Sequence, residues 1–554
     1  MNPLGDREMS APTPTRKKAK RISGGQPATT EPDVFLYEGG EVAEELRDSL
    51  TRVRVGPQVT EIPDDAFRDC EKLIELQLNE GLEAIGERAF YCCTSLRNVT
   101  VPSTVTVLGR WSFLGCQSLI ELQLKEGLQV IGQSAFSNCV ALQSVTLPST
   151  VTRISREAFR SCSELIELQL NEGLKAIGES AFRACHSLRN VTVPSTVTDW
   201  GWWEFAECSG LIEVEFNEGL EVIGNYAFAY CPALRCVTLP SSVTVLHMCA
   251  FFYCRDLIKL RLNEGLQVIG TQAFQGCASL QNVSVPSSVT ELRRGAFADC
   301  MSLIELQLKE GLEIIGARAF RDCPALRSVT IPSTVTELGR AAFYRCSNQS
   351  EVIFLNGKRL LNQEFVDCSS RREVQRLLNQ EAIDEMLFDA DGYFVFHSCP
   401  LTTVTISISW AVTERMERLS RACRLTVEER IHNSSRLELQ QDDNVLARFP
   451  VVHMAPSDES EVDSDDETKD EAFDIQDIND ETARSLYQVL QLIAFHELKE
   501  SSVLLELAIW KSRIDLATSV PRADCRAAVP DPAKCSIMEY CGFAEFLEPA
   551  IEGA

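Results

Sequence analysis

The chain has 554 residues, of which 45% are hydrophobic and 24% are charged, as in globular proteins. Its formal net charge is −27, and about −12 of this lies between residues 457 and 481, where thirteen acidic residues accompany a single lysine. This charge argues against duplex nucleic acid as a partner, and no apolar run reaches the ~20 residues that cross a bilayer.

Residues 1–30 are predicted to be a disordered basic tail, because they are rich in Pro, Ser and Thr and have little to bury. The tail contains one basic cluster, made of Arg16, Lys17, Lys18, Lys20 and Arg21. Such a cluster is either a nuclear import signal or a solvated charge patch. The tail has no apolar segment typical of a secretory signal, so we expect an intracellular protein, cytoplasmic or nuclear.

A period of 23 residues dominates the sequence from residue 53 to residue 355. Thirteen cysteines recur at this spacing from Cys70 to Cys346, each with a phenylalanine three residues before it. Nearly every cysteine is also followed three residues later by a leucine. A fixed period of this length is typical of a solenoid, and residues 31–52 are expected to form an N-terminal cap over its first coil.

One coil illustrates the expected structure. Leu76 and Leu78 alternate with polar residues, which predicts a short strand. Gly86 allows a turn, and the Ala89-Phe90-x-x-Cys93 segment is expected to form one helical turn with its apolar side chains facing inward. Two coil types alternate along the array, so the larger unit has 46 residues.

The repeated motif, x-IG-x-x-AF-x-x-C-x-x-L-x-x-V-x-(L/V)-P, resembles the BspA-like leucine-rich repeat family, for example from Ile85 to Pro102. The C-terminal segments FHELKE and DPAKCSIMEYCGFAEFLEPAIEGA resemble the end of algal leucine-rich repeat proteins. The resemblance implies a parallel-stranded repeat domain used in protein–protein interaction or adhesion. We therefore predict an α/β leucine-rich repeat solenoid with a short parallel strand and a helical turn per coil, an α+β cap and a helical C-terminal tail.

The repeated cysteines are interpreted as free structural thiols. Neighbouring helical turns would hold their Cα atoms further apart than the ~7 Å that a disulfide tolerates. A free cysteine is a small buried hydrophobe, so the ladder needs no redox role. This interpretation agrees with a reducing compartment.

The period breaks after Leu355. Asn356-Gly357 is typical of a hairpin turn, and Phe365 to Cys368 resembles one last coil, so residues 356–455 are predicted to be a degenerate coil and an α+β capping region. Residues 456–481 are predicted to be an acidic disordered linker, and residues 482–554 a helical tail. Its amphipathic helix, 482–515, either packs on the array or offers a surface to a partner, including a second copy of the chain.

Departures from the repeat pattern gather between residues 200 and 261. They form the candidate partner-binding set: Trp202, Trp203, Glu213, Glu215, Tyr226, His247, Met248, Lys259 and Arg261. Lys259 and Arg261 reverse the charge of a column that is otherwise acidic or neutral. The set is either a local binding site, since Trp, Tyr and Arg dominate interface energetics, or the result of sequence drift at surface positions that tolerate many residue types.

Motifs for catalysis, metals and cofactors are weak, so we predict no enzyme and no cofactor. His496-Glu497 lacks the second histidine of a zinc H-E-x-x-H motif. Cys525, Cys535 and Cys541 have spacings unlike a zinc ribbon, although with His496 they leave a metal site open.

Three serines in the acidic stretch, Ser457, Ser460 and Ser464, are followed by acidic residues, as acid-directed kinases require. They are either phosphorylation sites or part of an unmodified spacer.

The sequence as a whole favours a non-enzymatic scaffold that uses the solenoid surface to bind a protein or a peptide. The alternative is a secreted or cell-surface adhesin, which would need a signal peptide upstream of the given start. A nuclear regulatory role rests on the basic cluster alone.

Overall fold

The computed structural model describes residues 34–363, 365, 377–388, 394–441, 443–454, 472–475 and 480–516. The chain divides into two compact units. The N-terminal unit comprises residues 1–220 and 224–231, and the C-terminal unit comprises residues 221–223 and 232–554.

The N-terminal unit is a solenoid with two rows of parallel strands. The first-row strands are Phe35–Tyr37, Arg52–Val55, Glu75–Gln77, Asn98–Val101, Glu121–Leu124, Ser144–Thr146, Glu167–Gln169, Asn190–Val193 and Glu213–Phe216. The second-row strands are Glu61–Ile62, Ala84–Ile85, Val107–Leu108, Val130–Ile131, Arg153–Ile154, Ala176–Ile177 and Asp199–Trp200. A short helix, Glu44–Arg47, joins the first two strands.

The 23-residue period sets the register of both rows. Asn98 pairs with Glu121 in the first row and Arg153 pairs with Ala176 in the second, each across one period. Within a first-row strand such as Asn98–Val101, exposed and buried side chains alternate, as a period of two requires. At the N-terminal edge, Tyr37 is buried and its ring lies edge-on to that of Phe67, with the centroids 4.9 Å apart.

Phenylalanine and cysteine form two ladders through the centre of this unit. From Phe67 to Phe228, successive rings stack with their centroids 5.0–5.3 Å apart and every ring is fully buried. From Cys93 to Cys231, each thiol is free and donates a hydrogen bond to the carbonyl oxygen of the phenylalanine 26 residues earlier. The prediction that these are buried structural thiols agrees with this geometry.

The segment between the second-row strand and the cysteine is not the helical turn that we expected. It forms tight turns in which the residue two before each phenylalanine has a positive φ, as at Arg88 with φ 53°. The Phe67 amide donates to the Ala89 carbonyl of the next coil at 2.8 Å, not to a residue four positions back in the chain. Alternate amides of the segment, such as those of Phe67 and Asp69, thus bond to the next coil, whereas the amides between them bond back three residues within the turn.

The repeated glycines allow this close stacking. A Cβ on Gly109 would lie 2.4 Å from the carbonyl oxygen of Gly86, and one on Gly86 would lie 2.7 Å from the amide nitrogen of Asp64. Gly86 therefore serves the close approach of neighbouring coils, since its φ is not in the left-handed region.

The C-terminal unit contains the same two rows. Its first-row strands are Cys236–Thr238, Lys259–Arg261, Asn282–Val285, Glu305–Leu308, Ser328–Ile331 and Glu351–Phe354. Its second-row strands are Val222–Ile223, Val245–Leu246, Val268–Ile269, Glu291–Leu292, Ile314–Ile315 and Glu337–Leu338. Its phenylalanine ladder runs from Phe251 to Phe343 with centroids 5.2–5.6 Å apart.

The last coil contains a phenylalanine and a cysteine other than the two that we predicted from the sequence. Phe396 stacks on Phe343 at 4.9 Å, and the Cys399 thiol donates to the Phe343 carbonyl at 2.9 Å. These two residues take the places in the repeat that we expected Phe365 and Cys368 to take, and Cys368 lies outside the described residues of the segment that precedes Phe396. Within that segment the expected hairpin turn at Asn356-Gly357 is instead the start of a short helix, Gly357–Leu360.

The capping region adds antiparallel strands to the repeat sheet. Thr403–Ser407 pairs in parallel with Glu351–Phe354 and antiparallel with Val445–Met454. The further strands are Leu437–Leu439 and Ala472–Ile475, and the further helices are Gln380–Leu387, Ser409–Glu417, Arg421–His432 and Glu481–Leu516. Because Ala472–Ile475 pairs with Val445–Met454, the linker predicted over 456–481 is not disordered at these four residues.

The helix Glu481–Leu516 packs on the cap through its first half. Leu486, Val489 and Ile493 are buried, and the Arg415 guanidinium donates two hydrogen bonds to the Glu497 carboxylate at 2.6 and 3.0 Å. Over residues 481–500, the apolar face that we considered for self-association is thus already covered by the chain's own cap. A second copy would have to displace these contacts.

Candidate functional site

An exposed group of aromatic side chains lies on the N-terminal unit. The Trp203 and Tyr226 rings stack with their centroids 4.0 Å apart and their planes 13° apart. Trp202 lies 6.3 Å from Tyr226, and Tyr230 lies 6.4 Å from Trp203. We call these four residues the aromatic cluster. Trp202 is 51% exposed and Tyr230 is 41% exposed, so the cluster offers a large apolar area to solvent.

The repeat geometry explains why these rings meet. Trp203 and Tyr226 occupy the same position in successive coils, two residues before a ladder phenylalanine, and both have a positive φ, 67° and 56°. Trp202 and Asn225 form a parallel bridge beside them, and the Trp203 amide donates to the Asn225 carbonyl at 3.2 Å. One coil is about one strand spacing, ~4.8 Å, so flat side chains at this position stack directly.

Arg183 completes the cluster on its other side. Its guanidinium carbon lies 5.2 Å from the centroid of the Trp203 ring, and its Nη2 lies 2.6 Å from the Glu207 carboxylate. The Glu207 carboxylate and the face of the Trp203 ring therefore hold the Arg183 guanidinium in place.

Beneath the cluster lies a buried carboxyl that our sequence analysis missed. Glu204 is 0% exposed, and neither of its carboxyl oxygens has a hydrogen-bond partner in the described structure. Burial, and secondarily the charges of Asp199 and Glu179, raises the pKa of Glu204 to about 8. The sequence does contain a signal for this residue, because Glu204 occupies the repeat position at which the neighbouring coils have Ala181 and Ala227.

Trp200 lies next to this carboxyl. It pairs with Ile177 in the second row, and its indole Nε1 is buried without a hydrogen-bond partner in the described structure. A Cβ on Gly224 would lie 2.8 Å from the Cβ of Trp200 and 3.3 Å from the Glu204 carboxyl. Glycine at 224 therefore leaves the room that both larger side chains need.

The acidic members of the candidate set lie on another part of the coil. Glu213 and Glu215 are exposed on a first-row strand, opposite Asn190 and Thr192. The Thr192 hydroxyl donates to the Glu215 carboxylate at 3.1 Å. The two glutamates thus belong to the strand surface, whereas the aromatic cluster belongs to the turn surface.

The other four members of the set belong to the C-terminal unit. Lys259 and Arg261 are exposed on a first-row strand, opposite Cys236 and Thr238. His247 is exposed at a position where most coils have glycine, and Met248, half-buried, follows it. Partial burial and the nearby charge of Arg293 lower the pKa of His247.

Several predicted features fall outside the described residues. These are the basic cluster Arg16, Lys17, Lys18, Lys20 and Arg21, the serines Ser457, Ser460 and Ser464, and the cysteines Cys525, Cys535 and Cys541. His496 is described, and both of its ring nitrogens are buried without a partner in the described structure. Burial lowers the pKa of His496 below its ordinary value.

Two features are absent from the described part of the chain. Within it, no group of three or more His, Cys, Asp or Glu side chains is arranged to hold a metal ion. Among the helices of these residues, none has the length and apolar character needed to cross a membrane.

The repeat geometry and the comparison with known families agree. The BspA type leucine-rich repeat region, described in six copies, matches residues 46–166, 131–258, 247–372 and 302–416. These matches together extend from residue 46 to residue 416, which is more than half of the chain. The chain belongs to the BspA-type leucine-rich repeat family, whose members have protein-interaction or adhesin-type roles.

Three bacterial proteins are among the solved structures with a similar fold. A leucine-rich repeat protein from Bacteroides ovatus is 23% identical, with a TM-score of 0.47, over 56% of this chain and 93% of that protein. A leucine-rich cell surface protein from Faecalibacterium prausnitzii is 24% identical, with a TM-score of 0.34, over 60% and 95%. The pneumococcal vaccine antigen PcpA is 18% identical, with a TM-score of 0.33, over 58% and 78%. Among curated proteins, none matches the chain significantly.

Proposed function

We propose that this protein is a non-enzymatic interaction scaffold that binds a partner protein or peptide through the aromatic cluster. The observation that carries the proposal is the stack of Trp203 on Tyr226 beside the exposed Trp202. Rigid aromatic side chains lose little conformational entropy on binding and bury a large area, which is why they dominate interface energetics.

A matched residue in the same unit allows a controlled test. Trp111 occupies the same position of its coil as Trp203 and also has a positive φ. It lies between Arg88 and Arg110, whose guanidinium carbons are 5.4 and 4.0 Å from its ring centroid. Truncating Trp111 therefore removes the same side chain without touching the aromatic cluster.

Proximity labelling in the native cell tests the proposal with three forms of the full chain. We expect Trp203→Ala to remove a subset of labelled partners, since loss of a central aromatic residue often weakens binding by ~2 kcal/mol or more. Trp111→Ala is expected to leave that subset unchanged. Equal labelling by the wild type and both variants would contradict the proposal, as would equal loss in both variants.

The charged strand residues are a separate part of the proposal. We predict that four of them contact a partner: Glu213 and Glu215 in the N-terminal unit, and Lys259 and Arg261 in the C-terminal unit. Lys259→Glu restores the acidic character of the column, and we expect it to weaken capture of any partner that contacts this strand. The labelling experiment measures this variant alongside the others.

We further propose that the protein works inside the cell, where a reducing environment keeps its buried thiols free. A fluorescent fusion, with and without alanine at the five basic residues from Arg16 to Arg21, tests whether the cluster directs nuclear import.

Phosphopeptide mass spectrometry tests whether Ser457, Ser460 and Ser464 are phosphorylated. If the fluorescent fusion is found at the cell surface, this result would favour the alternative function as an adhesin.

A further inference from the structure

A group of arginines gathers on the turn surface of the C-terminal unit. Arg318 has a positive φ of 58° at the position two residues before Phe320, and its amide donates to the Arg340 carbonyl at 2.9 Å. One coil earlier, the Gly295 amide donates to the Ala317 carbonyl at 2.9 Å, which places Arg294 beside Arg318. Three successive coils thus bring arginines next to each other. We call Arg294, Arg318, Arg321 and Arg340 the arginine patch.

The charges of this patch are incompletely balanced. Arg321 forms an ion pair with Asp322, with Nε 2.7 Å from the carboxylate. In the described structure, the side chains of Arg294 and Arg318 form neither an ion pair nor a hydrogen bond. The intervening Gly295, Ala317 and Ala341 contribute no charge. Two guanidinium groups therefore keep their donors available to an incoming anion.

The electrostatics around Arg318 indicate crowding of like charges. Partial burial, together with the nearby guanidinium groups of Arg294, Arg321 and Arg340, lowers the pKa of Arg318. Like charges at such distances disfavour one another, and an anion bound among them would relieve this cost.

Flat rings border the patch on one side. The Tyr344 ring lies 5.8 Å from the guanidinium carbon of Arg321 and 5.0 Å from that of Arg345. His397 stacks on Tyr344 with the centroids 5.5 Å apart and the planes 1° apart. These rings provide apolar contact area beside the cationic donors, which a peptide can use and an inorganic anion cannot.

We propose that the arginine patch binds an acidic peptide segment of a partner protein, whose carboxylates accept hydrogen bonds from Arg294 and Arg318. This proposal rests on the proposed protein-binding function but concerns a surface other than the aromatic cluster. Three coils span ~10 Å, and an extended peptide repeats its side chains on one face every ~7 Å, so two alternate carboxylates fit the patch. Planar guanidinium groups bind carboxylates in a bidentate manner.

The overall charge of the chain favours this occupant over larger polyanions. With a net charge of −27, the protein repels duplex nucleic acid and anionic bilayers at long range. A short acidic segment contacts only the local patch, where arginines outnumber acidic side chains. Its binding is expected to weaken as salt concentration rises.

Fluorescence anisotropy on the full chain tests the proposal with two labelled probes. One probe is a peptide of alternating Glu and Gly, and the other is the same peptide with Gln in place of Glu. We expect only the acidic probe to bind, and Arg318→Gln combined with Arg294→Gln to weaken it at least about tenfold. Arg255→Gln removes one positive charge from an exposed residue of this unit outside the arginine patch. We expect it to change the affinity less than twofold, since it does not contact the peptide and its charge acts only through screening solvent.

Thermal unfolding keeps the test independent of folding defects. Arg318→Gln relieves repulsion, so we expect its melting temperature to equal or exceed that of the wild type. Trp203→Ala lies in the other unit and is expected to bind the acidic probe normally, which separates failure of this proposal from failure of the proposed function.

Three results would overturn the proposal. One is equal binding of the acidic and neutral probes, or binding that is insensitive to the two arginine substitutions. Another is displacement of the probe by duplex DNA or anionic vesicles at comparable charge concentration. A third is a large gain in probe affinity when the acidic residues between 457 and 471 are replaced by Asn and Gln, which would assign the patch to the chain's own acidic stretch.

Discussion

Glu204 occupies the position in its coil that Ala181 occupies one coil earlier. The Phe182 amide donates to the Glu204 carbonyl at 2.8 Å, just as the Phe159 amide donates to the Ala181 carbonyl at 2.8 Å. The backbone is therefore the same at both residues, and only the side chain differs. A carboxyl replaces a methyl group in the space between stacked coils, and it is fully buried there.

This substitution predicts a stability that falls with rising pH. The pKa of Glu204 is raised from 4.5 to about 8 in the folded protein. Between these values the unfolded chain has released the proton that the folded chain retains, so the free energy of unfolding falls by about 1.4 kcal/mol per pH unit. Glu204→Ala is expected to raise the melting temperature, with a gain that grows from pH 5 to pH 8.5.

The control for this prediction is Ser112→Ala. Ser112 occupies the same position in its coil, is fully buried, and its hydroxyl has no partner in the described structure. It does not titrate, so its replacement should change the melting temperature by the same amount at every pH. A pH-independent effect of Glu204→Ala would show that the carboxyl ionises normally in the folded state.

Close stacking of coils predicts that Gly109→Ala is strongly destabilising. The new Cβ would lie 2.4 Å from the Gly86 carbonyl oxygen, a backbone atom that moves only if the neighbouring coil moves. We expect the free energy of unfolding to fall by about 1–3 kcal/mol or more. Urea denaturation measures it.

Gly81→Ala provides the comparison. The nearest atom to its new Cβ is the side-chain oxygen of Asn79, at 3.1 Å. Since a side chain adjusts more easily than a neighbouring coil, its cost should be much smaller. Equal costs at Gly109 and Gly81 would mean that intercoil packing does not limit the choice of residue.

The cysteine ladder predicts a marked difference in thiol reactivity. Burial raises the pKa of Cys162 to about 12, so at pH 8 about one thiol in ten thousand would be ionised even with free access to solvent. Cys236 lies half-buried at the edge of a first-row strand. Alkylation by iodoacetamide, followed by peptide mass spectrometry, should label Cys236 and spare Cys162 in the folded protein. Labelling of both at the same rate would contradict the buried ladder.

The ion pair between Arg415 and Glu497 predicts local stability of the C-terminal helix. Both side chains are about 30% exposed, so solvent screens the pair in part. We expect Arg415→Ala to lower the protection of residues 481–500 by about 1 kcal/mol in hydrogen exchange. Lys499→Ala, on the exposed side of the same helix, should leave that protection unchanged.

Some features of the site could have been predicted, and others could not. The Trp203–Tyr226 stack joins residues 23 positions apart, so reading down one repeat column was sufficient to find it. The arginine patch joins Arg294, Arg318 and Arg340, at separations of 24 and 22 residues. When residues are compared at an exact spacing of 23, these arginines fall at different positions of the repeat. Only the hydrogen-bonded pairing of neighbouring turns shows that they lie side by side.

The sequence by itself determined the register of the repeats. Each 23-residue copy places a leucine, a phenylalanine and a cysteine on its inner side, and any slip would expose all three, so the period specifies the parallel pairing. Only the tertiary structure decided how the backbone between the strands is bonded. Every second amide of the turn segment finds its partner in the next coil, and this pairing goes with tight turns and left-handed residues where the local sequence suggested a helical turn. It also decided that the Glu204 carboxyl has no hydrogen-bond partner among the described residues, because that depends on what surrounds a carboxyl in space.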